Sequence, residues 1–456
     1  MTKDAISDFA RHVMNTRFEL LPIETVAAAR RLILDAIGVG LAGSRGQLAQ
    51  ELLQCAHGWG GVGSCRVFAR PDRFPSPVAA MLNACQIHNS EFDSLHEKAV
   101  VHAITGALPA ALAAAENRGR VSGKQLIEAV VVGADIACAI GLAAQSPMKY
   151  FRPGVANGFG ATAAVGKLLG LDAERLVAAF GACFAQSCGS MQAHEEGSML
   201  LSLQIGFNTR NALQACDLAV AGLKATHEVL EGRFGYFRLF EDAADPAPVI
   251  AEFGRVWRVD EMSQKPFPSG RATHGPIEAL TRIQGRRGFT PAELKEVVIS
   301  VTPIAHGLVG RPFKTDMEAN YARLCLIHCA ARVLKTGALT MADFAPDALA
   351  DETTRHIAGK ITTKALEGGG IDAFSPSVVR IELMDGSRFE EKVTDILGHP
   401  RNPLSPTQHL EKFRSNCASV EAHLPTGAAN QLIDMIDNLQ DASDVAQIME
   451  VAASSS

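Results

Sequence analysis

Small apolar residues recurring at helical spacing constrain this chain more than any other feature. Ile23–Ala42 places Leu32, Ile33 and Ala36 on one face of a helix. Ser76–Ser90, Gly106–Arg118 and Gly123–Ala144 repeat the pattern with Ala as the dominant residue, and Gly158–Lys167 opens another buried helix that stops at Gly170-Leu-Asp172. Small side chains let helices approach closely, so roughly the first 250 residues are expected to form a compact helical array. Gly158-Phe-Gly160 has no Val/Ile-rich strand before it and no third glycine, so it reads as close helix packing rather than a nucleotide-binding turn.

The pattern changes near Trp257. Glu296–Thr302 and Val378–Met384 are short β-branched runs, the second closed by Asp385-Gly386 before Arg388-Phe-Glu, and Tyr321–Leu334 between them has helical spacing. After Pro400 the helical pattern returns. A length of 456 residues also exceeds one simple core. The expected fold is therefore mainly α. A large helical domain is drawn from 1–256 and 400–456, and a smaller α/β (α+β) domain from 257–399 is inserted into it.

Several function classes are excluded early. A net charge of −6 with scattered Lys and Arg offers nucleic acid no basic face. Ile127–Ala144, the nearest approach to a membrane span, is interrupted by Glu128, Gly133 and Asp135, so no membrane partner is expected. The ten cysteines lack CxxC spacing and read as small buried hydrophobes in a reducing, cytoplasmic setting.

Two polar clusters stand out against this apolar background. The first is Glu91-Phe-Asp93-Ser-Leu-His96-Glu97-Lys98-Ala-Val-Val-His102. On a helical turn Asp93 and His96, three apart, would share a face and reach one ligand. A carboxylate beside imidazoles can remove a proton from carbon and orient the conjugate acid, although a solvated turn would carry the same residues. The second is Lys265-Pro-Phe-Pro-Ser269-Gly-Arg271-Ala-Thr-His274-Gly. Pro-Phe-Pro would hold Lys265 rigidly, and a lysine in a dry pocket can act as a base. Arg271 could clamp a carboxylate, and His274 precedes a helix begun at Pro276. Asp93, His96, Glu97 and His102 could also supply metal ligands, but HxxxH and HExxH spacings are absent.

Together the clusters resemble the MmgE/PrpD family, which includes 2-methylcitrate dehydratase, cis-aconitate decarboxylase and iminodisuccinate epimerase. The resemblance runs from Leu32-Ile-Leu-Asp35 to the C-terminal helices. It implies an active site between the two domains, a homodimer, no cofactor and no metal. It assigns the substrate pocket to Asp93, His96 and His102, completed by Lys265 and His274. Two departures bear on the reaction. Where family dehydratases and decarboxylases usually carry a His, this chain has Tyr150-Phe-Arg152; where they carry Lys-Arg-x-His, it has Leu201-Ser-Leu-Gln204.

Losing a proton donor and a cation disfavours expulsion of hydroxide or CO2, whereas epimerisation needs only a base on each face of an acidic carbon. The sequence therefore points to a cofactor-independent epimerase of a small imino-dicarboxylate such as iminodisuccinate. A 2-methylcitrate-type dehydratase and then a cis-aconitate decarboxylase are the alternatives. Lys265 with Tyr150 or His102 would supply the bases, Asp93, His96 and His274 would support them, and Arg152, Arg271, Lys149, Ser269 and Gln204 would bind substrate. His194-Glu195-Glu196 reads as an acidic turn, Cys325 and Cys329 as core, and Tyr321 and Arg323 as candidates to face the interdomain cleft.

Overall fold

The computed structural model describes residues 4–59, 61–367 and 373–453. Helices Ser76–His88, Ala103–Arg118, Gly123–Ala143, Arg152–Leu169 and Leu200–Val220 pack against one another at the centre of the larger lobe. Glycine makes this packing possible at one crossing. A Cβ on Gly160 would lie 2.5 Å from the carbonyl oxygen of Gly133, so the two helices meet backbone to backbone. Gly123–Ala143 is long and apolar enough to cross a membrane, yet 89% of its apolar window is buried inside the protein.

The core of this lobe draws on residues from Ala5 to Met262 and again from Phe413 to Ala452. Helix Pro406–Ala418 returns to lie on Ile23–Gly43, where Phe413 packs against Gly38 and Lys412 forms a buried 2.8 Å ion pair with Asp35.

A second core spans residues between Ala272 and Ile396 and takes in Leu95. Its four-stranded sheet has the order Ile361–Ala365, Leu294–Val301, Ser377–Leu383, Arg388–Val393, with the first pair parallel and the others antiparallel. Helices His274–Arg286 and Leu326–Thr336 pack against it. The protein is thus mainly helical with a small α/β part, as the patterning indicates.

Several boundaries differ for local reasons. The Leu294–Val301 strand stops before Thr302, whose hydroxyl caps the Pro303–Val309 helix by accepting from the Ala305 amide. Ile361–Ala365 is an edge strand with mostly exposed or half-exposed side chains, which gave its sequence no buried alternation. The helix expected over Tyr321–Leu334 is broken. Ala319–Arg323 ends where Cys325 forms a backbone bridge with Gly310, and a new helix starts at Leu326.

Candidate active site

Between His88, at the end of one central helix, and Ala103, at the start of the next, the chain runs through an almost wholly buried irregular loop. Glu91 (φ 51°) and Val100 (φ 52°) both adopt the left-handed conformation that side chains normally avoid. The loop is not helical, so Asp93 and His96 do not share a face. Asp93 Oδ2 accepts from His88 Nδ1 at 3.0 Å, from His102 Nδ1 at 2.9 Å and from the Thr105 hydroxyl at 2.5 Å. His96 turns away instead: its Nε2 meets Glu261 at 3.0 Å and its Nδ1 accepts from the Ala99 amide.

Burial alone would raise the Asp93 carboxyl, but His102 and His88 hold it well below the usual carboxylate range. An ionised carboxylate only accepts, so both imidazoles carry their proton on Nδ1. The Nε2 of His102, which lines a cavity, then presents a lone pair. Burial lowers His102 below the ordinary imidazole range despite Asp93, and Lys265 and His88 push the same way. Burial opposes charge on His88 too, but there Asp93 and Glu91 prevail and raise it. One carboxylate thus holds two histidines of opposite disposition.

Lys265 is fully buried. Its Nζ donates to Glu91 Oε2 at 2.9 Å and to the Glu91 carbonyl at 3.1 Å, and lies 3.8 Å from Asp93 Oδ1. Burial would raise Glu91, yet Lys265, His88 and His102 bring it down to about 2. Lys265 Nζ therefore sits between two carboxylates, not in the isolated dry pocket its sequence context suggests.

Arg271 and His274 form a clamp behind this pair. Arg271 donates from Nε to Glu97 (2.8 Å), from Nη1 to the Leu397 carbonyl (2.7 Å) and from Nη2 to the Ile396 carbonyl (3.3 Å). Its Nη1 also faces His274 Nδ1, while His274 Nε2 donates to the Ser269 carbonyl at 3.1 Å. Burial, followed by Arg271 and Lys265, holds His274 well below its ordinary value, so it is a neutral brace. Ser269 spends its hydroxyl on Thr273 at 2.7 Å. These residues position the Lys265 loop, and Arg271 has protein partners where a substrate carboxylate was expected.

Four further candidates lie off the cavity. Lys149 is exposed and pairs with Asp242. Tyr150 stacks on Phe240 at 4.4 Å, and burial raises its phenol to about 12, which removes it as a base. Arg152 makes a two-pronged ion pair with Glu241 (2.8 and 2.7 Å), and Tyr236 donates to the same carboxylate. Gln204 accepts from the Ser190 amide and braces that turn. Lys149 and Arg152 are paired by carboxylates about 90 residues away in sequence, whereas Gln204 keeps its Nε2 buried without a hydrogen-bond partner.

The cavity measures about 70 Å³, room for a few waters. His88, Glu91, His102, His194, Lys265 and Arg271 supply its polar wall, and Met148, Phe151, Leu201, Leu308, Leu324 and Phe374 much of its apolar one. A much larger cleft of about 1360 Å³ lies behind Phe92 and Pro266-Phe267-Pro268. The titratable groups converge on the small cavity, which is therefore the candidate catalytic centre. His88 and Thr105 escape sequence reasoning because they look like ordinary helix residues. His194 is more than an acidic turn: burial and then Arg311 lower it to about 4.

Among the described residues, His88, Asp93 and His102 also bring three donor atoms within 4.8 Å of one another. Their hydrogen bonds already converge on Asp93 Oδ2, so the geometry is that of a proton-bearing hub rather than an open ligand set.

Comparison with known proteins fits this geometry. The family model for the MmgE/PrpD N-terminal domain matches residues 7–248, and that for the MmgE/PrpD C-terminal domain matches residues 267–441. A cis-aconitate decarboxylase of Aspergillus terreus is 28% identical over 473 residues, covering 97% of this chain and 95% of its own length. The cis-aconitate decarboxylase of Homo sapiens is 25% identical over 460 residues, covering 97% of this chain and 93% of its own.

Proposed function

The chain belongs to the MmgE/PrpD family, and on that premise we propose that it is a lyase that decarboxylates a small unsaturated tricarboxylate of the cis-aconitate kind. The observation that carries the reading is the pairing of a buried cation, Lys265 on Glu91, with a neutral imidazole, His102 on Asp93, on one cavity wall. Likeness to decarboxylases along almost the whole chain supports it.

In the proposed step the C–CO2 bond breaks, and its electron pair forms a new C=C bond. The former double bond shifts onto the carbon that takes a proton, and CO2 leaves. Lys265 delivers that proton, since it is the acid held at the cavity wall. His102 Nε2 accepts a hydrogen bond from substrate or water and relays the replacement proton. His88, raised toward its charged form beside Glu91, completes the proton store.

Epimerisation of iminodisuccinate, the reading favoured by the departures at Arg152 and Leu201–Gln204, loses its footing. Of the two candidate second bases, Tyr150 is off the cavity and His102 lines it beside Lys265, so the weight against epimerisation comes from the relatives, which are cis-aconitate decarboxylases. The test is proton NMR of the enzyme with cis-aconitate, 2-methylcitrate and iminodisuccinate separately in D2O. A decarboxylated alkene carrying one solvent deuteron on carbon supports the proposal. Inversion of iminodisuccinate without an alkene, or alkene formation from methylcitrate alone, overturns it.

A further inference from the structure

The buried arginines among the described residues are Arg152, Arg258, Arg271, Arg323 and Arg332. Arg152 pairs with Glu241, Arg258 with Glu252 and Glu261, Arg271 with Glu97, and Arg332 with Asp343. Arg323 is the exception. It is 5% exposed, its Nε is buried without a hydrogen-bond partner, and its guanidinium lies over the Phe344 ring at 5.0 Å.

An uncompensated buried charge is costly, and proteins keep one where a ligand supplies the counter-charge. A second cation shares the feature. Arg311 Nη2 donates to the His194 carbonyl at 2.8 Å, but its buried Nη1 has no partner. The backbone bridge between Gly310 and Cys325 brings the segments bearing the two arginines side by side. The Gly270 amide donates to the Arg323 carbonyl, which ties this wall to the Lys265 loop. Glu91 is the carboxylate whose charge both guanidinium groups feel, without a direct contact to either.

We propose that Arg323 and Arg311 are the substrate-carboxylate receptors of this enzyme, taking the part that the sequence assigned to Arg152 and Arg271. The ligand class is a di- or tricarboxylate whose outer carboxylates neutralise the two guanidinium groups while its reacting carbon faces Lys265. Arg323 lines the large cleft while its neighbour Leu324 lines the small cavity, so this segment stands between the two spaces. This assignment rests on the polycarboxylate reading above and deepens it.

The experiment is calorimetric titration of the full chain with tricarballylate, an unreactive tricarboxylate, for wild type, Arg323→Met, Arg323→Lys and Arg311→Met, with thermal unfolding of each ligand-free protein. Arg323→Met is expected to weaken binding by about 10- to 100-fold, the worth of a charge-assisted contact, with partial rescue by Arg323→Lys. It is also expected to raise the ligand-free unfolding temperature, because it removes an unpaired buried charge. An arginine with a merely structural role would lower it. Equal affinity of wild type and Arg323→Met, or no binding by wild type, overturns the proposal. Because binding is read apart from turnover, a clamp that binds tricarballylate in an enzyme releasing no CO2 from cis-aconitate sinks the lyase reading and leaves this one intact.

Discussion

Lys265 meets Glu91 twice, through the side-chain carboxylate at 2.9 Å and the backbone carbonyl at 3.1 Å, across 174 residues of sequence. The double contact requires Glu91 to turn its carbonyl and its side chain to the same partner, and the left-handed backbone at this residue allows it.

Glu91→Gln keeps the shape of the contact and removes its charge. Lys265 then keeps only Asp93 Oδ1, at 3.8 Å, as a counter-ion. Turnover is expected to fall by about 10²–10⁴-fold, the usual contribution of a positioned acid or base, and Lys265→Met should fall at least as far. Steady-state kinetics on variants with native circular dichroism check this. Near-wild-type turnover of a folded Lys265→Met would remove Lys265 from the chemistry.

His328 gives the fold a predictable pH dependence. Burial lowers it from the usual 6.5 to about 4, and it sits between the rings of Phe313 and Phe344. Its pKa is depressed in the folded state, so the unfolded chain binds the extra proton. Its contribution is fully present above pH ~6.5 and is lost as pH falls toward ~4. Between pH 7 and 5 this single group removes about 2 kcal/mol of stability. Urea titrations at the two pH values should show the loss in wild type and a correspondingly flatter profile in His328→Phe.

Arg152 and Lys149 should separate structure from catalysis. Arg152→Met strands Glu241 in a buried site and is expected to cost about 3–5 kcal/mol of stability while leaving KM of the folded enzyme nearly unchanged. Lys149→Ala, at an exposed pair, should move stability by less than about 1 kcal/mol. A selective KM increase in Arg152→Met would return Arg152 to the substrate.

Gly160→Ala probes the helix crossing. The added methyl would meet the Gly133 carbonyl at 2.5 Å and Ala137 Cβ at 2.8 Å, and backbone cannot move aside cheaply. A loss of about 1–3 kcal/mol in chemical denaturation is expected. Unchanged stability would mean the helices are not in backbone contact.

The helical array was legible because Ala, Gly and apolar residues repeat at helical spacing, and the inserted sheet because its inner strands are β-branched. The edge strand Ile361–Ala365 was not, since it buries too little to leave a pattern. In the site, Asp93, His102 and Lys265 could be singled out from their polar clusters. Where the arginines point could not. Arg152 and Arg271 looked free only because Glu241 and Glu97 reach them through the fold, while Arg323 looked ordinary because a missing partner leaves no mark in sequence. The break between Arg323 and Leu326 was equally silent, because Gly310, which pairs with Cys325, lies outside the helical segment.

The most direct test of the central claim is release of CO2 from cis-aconitate by purified enzyme, measured in the headspace while the product is followed by NMR. The account predicts one CO2 per alkene formed by wild type, and loss of both signals in Lys265→Met. Consumption of cis-aconitate without CO2, or CO2 release undiminished in Lys265→Met, would contradict it.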